Sequence, residues 1–252
     1  MSNPERSSAT LLTSDKHRIA YRHYKTGHDQ AVIVAHGFYN SKDAVLLQRL
    51  KDRLLKDFDV VMFDFRGHGK SSGLFSWTAK EDRDLEAVLS YVRRQYSSIG
   101  IVGFSVGGSI AVNVLARDAS VQSLICVSSP SEMKKVEYRF WELDLAGDIG
   151  YTFGPEGVIG RGMRLGPFWL KKQKPEDSAK KLACPVLYIH GDRDWVVSRR
   201  HSERLYENTA SKKELRIIKT GTHAEYLLRD HKEVFDWIRD WFTATLPKGG
   251  KA

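Results

Sequence analysis

Short apolar runs recur along the chain, separated by segments whose apolar positions repeat every three or four residues. Ala31-Val32-Ile33-Val34-Ala35, Val60-Val61-Met62-Phe63, Ile99-Gly100-Ile101-Val102, Leu124-Ile125-Cys126-Val127 and Val186-Leu187-Tyr188-Ile189 each read as a buried strand. Leu215-Arg216-Ile217-Ile218 reads as the last strand, and Arg18 to Tyr24 alternates, with Ile19 and Tyr21 on one face. A helix is predicted around Ala44 to Leu55. Thr78-Ala79-Lys80-Glu81 has the form of a capping box, in which threonine and glutamate each take an orphan N–H. Behind it, Leu85, Val88, Leu89 and Val92 form a stripe that a helix would lay against a sheet. Val234, Phe235, Trp237, Ile238, Trp241 and Phe242 give the closing helix a broad apolar face. Near-continuous apolar strands alternating with helices predict an α/β fold, with a mainly parallel sheet covered on both faces.

One segment breaks the alternation. Between Pro130 and Ala183 no strand pattern is visible, yet Tyr138, Phe140, Trp141, Tyr151, Phe153, Phe168 and Trp169 are interleaved with seven glycines, from Gly147 to Gly166. A connection this long inside a compact domain is usually functional. The expected organisation is a core of residues 1–129 and 184–246, a cap of residues 130–183 over the carboxyl edge of the sheet, and a loose tail, 247–252. The cap aromatics either line an apolar pocket or pack the cap onto the sheet. Its glycines suggest hinge motion that gates access.

Length and composition fit this outline. A chain of 252 residues, 41 % hydrophobic, accommodates one large domain, or one domain with an insertion. No apolar stretch approaches the roughly 18 residues that span a bilayer. The first residues, Met1-Ser2-Asn3-Pro4-Glu5-Arg6, lack the apolar core of a secretory signal. Cys126 and Cys184 are expected as buried thiols rather than a disulfide, and neither has metal-ligand spacing. These features point to a cytoplasmic protein. The net charge of +9 is spread over scattered pairs such as Lys134-Lys135, Lys171-Lys172 and Lys180-Lys181, with no nucleic-acid-binding motif beside them. A basic surface follows, with at most a mild preference for anionic substrates or surfaces.

The candidate chemistry starts at Gly103-Phe104-Ser105-Val106-Gly107. This run joins a strand pattern to a helix pattern that continues through Ile110, Ala111, Val114 and Leu115. A serine on so sharp a turn projects its hydroxyl above the sheet. The turn has little room for side chains two positions before and after, and the helix start offers unpartnered N–H groups. A serine nucleophile needs a base, and the base needs an acid to fix its tautomer. In open parallel sheets such groups gather beyond the carboxyl ends of strands. There the chain places His190-Gly191-Asp192-Arg193-Asp194 and Gly221-Thr222-His223. His223 is the candidate base. Asp194 is the candidate acid, with Asp192 and Glu132 as alternatives.

These motifs resemble the α/β-hydrolase fold family, in the branch that includes carboxylesterases, monoacylglycerol lipases and serine peptidases. The similarity runs from about Arg18 to Phe242. Gly103–Gly107 is similar to the family's G-x-S-x-G, which implies Ser105 as nucleophile and the Val106 N–H as an oxyanion donor. His190-Gly191-Asp192-Arg193-Asp194-Trp195-Val196-Val197 is similar to H-G-x-x-D-x-x-V, which implies Asp194 as the triad acid. Gly221-Thr222-His223 is similar to the family's G-x-H. His36-Gly37-Phe38 matches an H-G pair that implies the Phe38 N–H as the second oxyanion donor. Asp64-Phe65-Arg66-Gly67-His68-Gly69-Lys70-Ser71 is similar to D-x-R-G-x-G-x-S, a structural loop in which Asp64 and Arg66 would bond locally. His36, His68 and His190 are accordingly read as structural.

The resemblance implies a serine hydrolase needing neither cofactor nor metal, while the substrate depends on the 130–183 segment, whose aromatics suggest small esters with short- to medium-chain acyl or aryl groups. A monoacylglycerol lipase, peptidase or thioesterase would use the same groups. From another class, a non-catalytic binding protein on the same fold would not need nucleophile, base and acid together.

Overall fold

The computed structural model describes residues 4–135 and 150–248. Its centre is an eight-stranded sheet built from β1 (Glu5–Leu12), β2 (Arg18–Lys25), β3 (Gln30–Ala35), β4 (Asp59–Phe63), β5 (Ser98–Phe104), β6 (Ser123–Val127), β7 (Val186–Gly191) and β8 (Lys213–Ile218). The spatial order is β1-β2-β4-β3-β5-β6-β7-β8. The first two strands run antiparallel to their neighbours, and β3 to β8 are all parallel. This is the mainly parallel sheet expected from the apolar runs.

Strand alternation divides the core between two faces. Ala31, Ile33, Ala35, Ile99, Ile101, Leu124 and Tyr188 pack under α2 (Asp82–Val92), α3 (Val106–Leu115) and α6 (Arg200–Asn208). Val32, Val34, Val102, Phe104, Ile125 and Ile189 pack under α1 (Val45–Leu54), α7 (Tyr226–Asp230) and α8 (Glu233–Thr245). Helix α1 presents Leu46, Leu47, Leu50 and Leu54 inward, and α8 presents Val234, Phe235, Ile238, Trp241 and Phe242. Each fully buried side chain of this kind contributes roughly 1.5–3 kcal/mol of transfer free energy. Cys126 and Cys184 are buried and unlinked. Burial pushes both thiols upward, Cys184 to about 11, so neither is a ready thiolate.

Three features differ from the sequence reading. Strand β1 has no apolar pattern: its side chains are almost all exposed, and backbone pairing with β2 holds it. The capping box does not form. Helix α2 begins at Asp82 with no side-chain cap, and the Glu81 carboxylate instead accepts from the Ser76 amide (2.6 Å) and hydroxyl (2.9 Å). Thr78 sits at φ +73°, outside the geometry a capping threonine adopts. Third, the local bonding expected of Asp64 and Arg66 holds only in part, since both also reach residues outside their loop. Asp64 accepts from Lys42 Nζ at 2.6 Å, and from the amides of Lys42 and Lys70. Arg66 is buried and donates to Asp84 (2.7 and 2.9 Å) and to Asp15 (2.8 and 3.0 Å). Burial opposes its charge, but the two carboxylates outweigh it and raise its pKa. The pair ties the β4 exit loop to α2 and to the β1–β2 turn.

Two short helices lie in the long connection between β6 and β7: α4 (Gly150–Phe153) and α5 (Pro175–Ala179), beside a 3-10 turn at Met133–Lys135. The Arg164 amide donates to Gly67 O (2.7 Å), and the Gly166 amide to Phe75 O (2.8 Å). Arg49 donates to both oxygens of Glu156, and Arg161 reaches the buried Glu225 at 3.3 Å. Phe153, Phe168 and Trp169 are exposed, so these three do not pack the segment onto the sheet. Tyr151 does pack, edge-on against Tyr226. Tyr138, Phe140, Trp141 and the tail from Gly249 lie outside the described residues. Among the described residues no helix is long and apolar enough to cross a membrane.

His23 is fully buried on β2, with its ring nitrogens 3.0 Å from Tyr91 Oη and 2.9 Å from Tyr96 Oη. Burial, reinforced by Lys25, lowers its pKa from 6.5 to about 4. The unfolded chain therefore takes up a proton near pH 6.5 that the folded chain refuses until about pH 4. Stability from this group is present above 6.5 and is lost as the pH falls through that window. Replacing His23 by Gln should flatten the dependence of unfolding free energy on pH between 6.5 and 4, by up to about 1.4 kcal/mol per pH unit. Urea titrations across that range measure it, and an unchanged slope would contradict the assignment.

Candidate active site

Helix α3 begins one residue after β5 ends, and Ser105 makes the turn at φ +50°, ψ −121°. A non-glycine residue rarely adopts this conformation, and holding it costs on the order of 1–3 kcal/mol. The neighbours explain why glycines flank it. A Cβ on Gly103 would lie 2.5 Å from the Gly108 backbone, and one on Gly107 would lie 2.5 Å from the carbonyl oxygens of Ala35 and His36. The close strand-to-helix packing thus forces the serine outward. Its amide is pinned by the Val127 carbonyl at 2.8 Å.

His223 approaches from the loop after β8. Its Nε2 lies 3.1 Å from Ser105 Oγ, and its Nδ1 lies 2.7 Å from Asp194 Oδ2. The tautomer that satisfies both contacts carries its proton on Nδ1 and accepts the serine proton at Nε2. The loop is held from below. The Ala224 amide donates to Ser128 Oγ at 3.0 Å, and a Cβ on Gly191 would fall 2.1 Å from Gly221 O. The β7 and β8 exit loops therefore touch backbone to backbone, which brings the carboxylate of one against the imidazole of the other.

Asp194 is fully buried. Its Oδ1 accepts from the amides of Val196 (3.0 Å) and Val197 (2.8 Å). Oδ2 faces both His223 Nδ1 and, at 3.1 Å, His190 Nε2. Burial pushes its pKa up. The charge of His223 and the hydrogen bonds from both imidazoles outweigh that and hold it well below the usual carboxylate range. His190 is fixed in turn: its Nε2 lies 2.7 Å from Val197 O, and the Ser202 hydroxyl meets its Nδ1 at 2.6 Å. The sequence reading treated His190 as structural. Its second role, bracing the acid, needed the fold of the 190–197 loop to become visible.

The alternative acids are elsewhere. Asp192 makes no side-chain bond to His223, and its amide pairs with Ile218 O at 3.0 Å. Glu132 forms an ion pair with Lys174 at 3.0 Å.

The two candidate oxyanion donors lie next to the serine. Val106 opens α3, so its amide is among the first-turn N–H groups that have no partner inside the helix. A Cβ on Gly37 would come 3.3 Å from Ser105 Cβ, which puts the following residue, Phe38, beside the nucleophile. The Phe38 ring stacks on Trp77, with centroids 5.1 Å apart and planes at 29°. His36 is buried behind this loop, accepting from the Phe65 amide at 3.0 Å, and burial lowers its pKa to about 4. His36 is therefore a neutral strut, and His68, 5.0 Å away ring to ring, is lowered further by burial and by His36. Among the described residues no group of three or more His, Cys, Asp or Glu side chains could hold a metal ion.

Known proteins share this architecture. The family model described as "alpha/beta hydrolase fold" matches residues 30–163, and one described as "Serine aminopeptidase, S33" matches residues 171–230. YfhR of Escherichia coli K12, an uncharacterized protein, is 27 % identical over 215 residues, covering 81 % of this chain and 66 % of its own length. The chain thus spans just under two thirds of that relative. Human serine hydrolase BPHL is 23 % identical over 252 residues, with 89 % of this chain and 84 % of that protein covered. In three dimensions the Pyrococcus furiosus esterase Pf2001 superposes with a TM-score of 0.78 at 22 % identity, over 96 % of this chain and 93 % of that one. The esterase RhEst1 from Rhodococcus sp. gives 0.75 at 19 % identity, over 95 % and 99 %. With the first model covering more than half of its length, the chain belongs to the α/β-hydrolase fold family.

Proposed function

We propose that this protein is a serine hydrolase that cleaves carboxylic esters through an acyl-enzyme. The observation that carries the reading is the unbroken contact from Ser105 Oγ to His223 Nε2 and from His223 Nδ1 to Asp194. The named esterases among the structural neighbours favour an ester substrate.

In the proposed mechanism Ser105 Oγ attacks the carbonyl carbon while His223 Nε2 takes its proton. The Phe38 and Val106 amides receive the developing oxyanion, and one well-placed donor contributes roughly 3–4 kcal/mol. Asp194, kept ionised by its four donors, stabilises the imidazolium without taking its proton. His223 then protonates the departing alkoxide. A water molecule deprotonated by the same nitrogen attacks the acyl-enzyme, and Ser105 leaves with the proton restored. The segment 130–183 acts as the cap that shapes access, and its apolar side chains favour acyl or aryl groups over polar ones.

A peptidase reading draws on the aminopeptidase match across residues 171–230. Amide cleavage demands protonation of a poorer leaving group by His223. A series of nitrophenyl esters of increasing acyl length, run beside a monoacylglycerol and an aminoacyl amide, ranks these substrates. The account expects the short and medium esters to be fastest.

Two outcomes test the assignment. A fluorophosphonate probe should label the protein, and Ser105→Ala should abolish both labelling and ester turnover; labelling that persists in the variant would refute the nucleophile. Asp194→Asn should lower kcat on the order of 10⁴-fold, as loss of the orienting carboxylate does in triads generally. Asp192→Asn should stay within about threefold of the wild type, because it leaves the imidazole's partners intact. Steady-state kinetics on one ester decides between them, and a larger loss from Asp192→Asn would overturn the choice of acid.

A further inference from the structure

Beside the oxyanion loop lies a cleft of about 1000 Å³, lined by Trp77, by Glu132 to Lys134, and by Phe168 to Lys174. Ser105, Asp194 and His223 do not line it. Trp77 is its link to the site, through the stack on Phe38. Trp77 and Thr78 are consecutive non-glycine residues at φ +57° and +73°. From this strained turn Trp77 contributes to the cleft lining while its ring stacks on Phe38.

The rest of the lining combines open aromatic surface with lysines that outnumber the carboxylates among the described residues. Phe168 and Trp169 are 68 % and 74 % exposed, and among the described residues their rings meet each other, edge to face. Of the lining lysines, Lys174 is paired with Glu132. Lys134, Lys171 and Lys172 have no carboxylate partner among the described residues. Lys172 donates to the carbonyls of Phe168 and Leu170, which orients its ammonium without neutralising it. Burial and then the charge of Lys134 lower its pKa, so the two ammonium groups in the cleft lining repel each other. The Glu81 carboxylate acts on Lys172 in the opposite sense and more weakly than Lys134, and it makes no ion pair with it. Glu81 is held by Ser76, and Asp82 Oδ2 accepts from Arg117 at 2.7 Å. Cations brought together against flat aromatic faces favour a ligand that is itself aromatic or apolar and carries a negative charge.

We propose that this cleft is an anion-selective binding site, in which Trp77 and Trp169 contact a flat or apolar group and Lys134 and Lys172 hold an attached carboxylate or phosphate. As a substrate subsite it rests on the hydrolase reading: the anionic end of an ester would sit here while its carbonyl reaches Ser105 past Phe38. As a binding site it stands without that reading.

Tryptophan fluorescence titrations of the full chain test it with three probes, 4-phenylbutyrate, 4-phenylbutyl phosphate and the neutral 4-phenylbutanol. At least one anion should bind about tenfold tighter than the alcohol at low salt, a preference that fades with added salt. Whether the carboxylate or the phosphate gains more identifies the source of the charge. The Lys134→Gln/Lys172→Gln variant should bind all three alike. Lys134→Gln, at an exposed side chain, should lose part of the preference on its own. Equal binding of all three probes by the wild type, or a preference intact in both variants, would overturn the proposal. Fluorophosphonate labelling separates the two readings. A labelled protein without anion preference loses the cleft proposal alone, and an unlabelled protein that prefers anions loses the hydrolase reading alone.

Discussion

A carboxylate with no exposure to water, Asp194, is the charge around which the carboxyl edge of this sheet is organised. Burying an unpaired carboxylate costs several kcal/mol, so the fold has to supply donors on every side. It does so from two backbone amides, at Val196 and Val197, and from two imidazoles, at His190 and His223. The same donors that keep the charge stable also fix the loop after β7. That loop, meeting the loop after β8 at Gly191 and Gly221, sets where the His223 ring stands. The distance from His223 to Ser105 follows from this arrangement rather than from any feature of the serine.

The serine contributes a second constraint. Its backbone strain is tolerated because the β5–α3 packing over-determines the turn, with Gly103 against α3 and Gly107 against the β3 exit. Stability is given up at the point where a hydroxyl must face outward. The buried ion network of Arg66, Asp15 and Asp84, and the neutral histidines 36 and 68, brace the loops behind it. They shape the floor of the site without offering a reactive group to it.

Much of this was legible in the sequence because parallel strands buried on both faces leave continuous apolar runs, and because glycine spacing around Ser105 reports a steric limit. The six apolar strands and the stripes of α1, α2 and α8 appeared where the periodicity put them. Strand β1 did not, since a polar, exposed edge strand is specified by backbone pairing with β2. The Thr78–Glu81 box failed because its pattern is local, whereas the left-handed turn at Trp77 and Thr78 and the Ser76 hydroxyl decide where Glu81 points. Arg66 found partners 51 and 18 residues away, at separations periodicity does not report, and His190 meets Asp194 four residues on only because the loop after β7 folds back. Residues 130–183 were read as a cap, but that Phe168, Trp169 and the lysines beside them share a cleft with Trp77 is visible only in the fold.

The central claim is that the imidazole of His223 makes the Ser105 hydroxyl a nucleophile toward an acyl carbon. Rapid acid quench of the protein with a nitrophenyl ester, followed by peptide mass spectrometry, tests it most directly. The account predicts a transient mass increase equal to the acyl group on the peptide holding Ser105, forming in the wild type and not in His223→Ala. An acyl adduct on another residue, or on Ser105 at an undiminished rate in that variant, would contradict it.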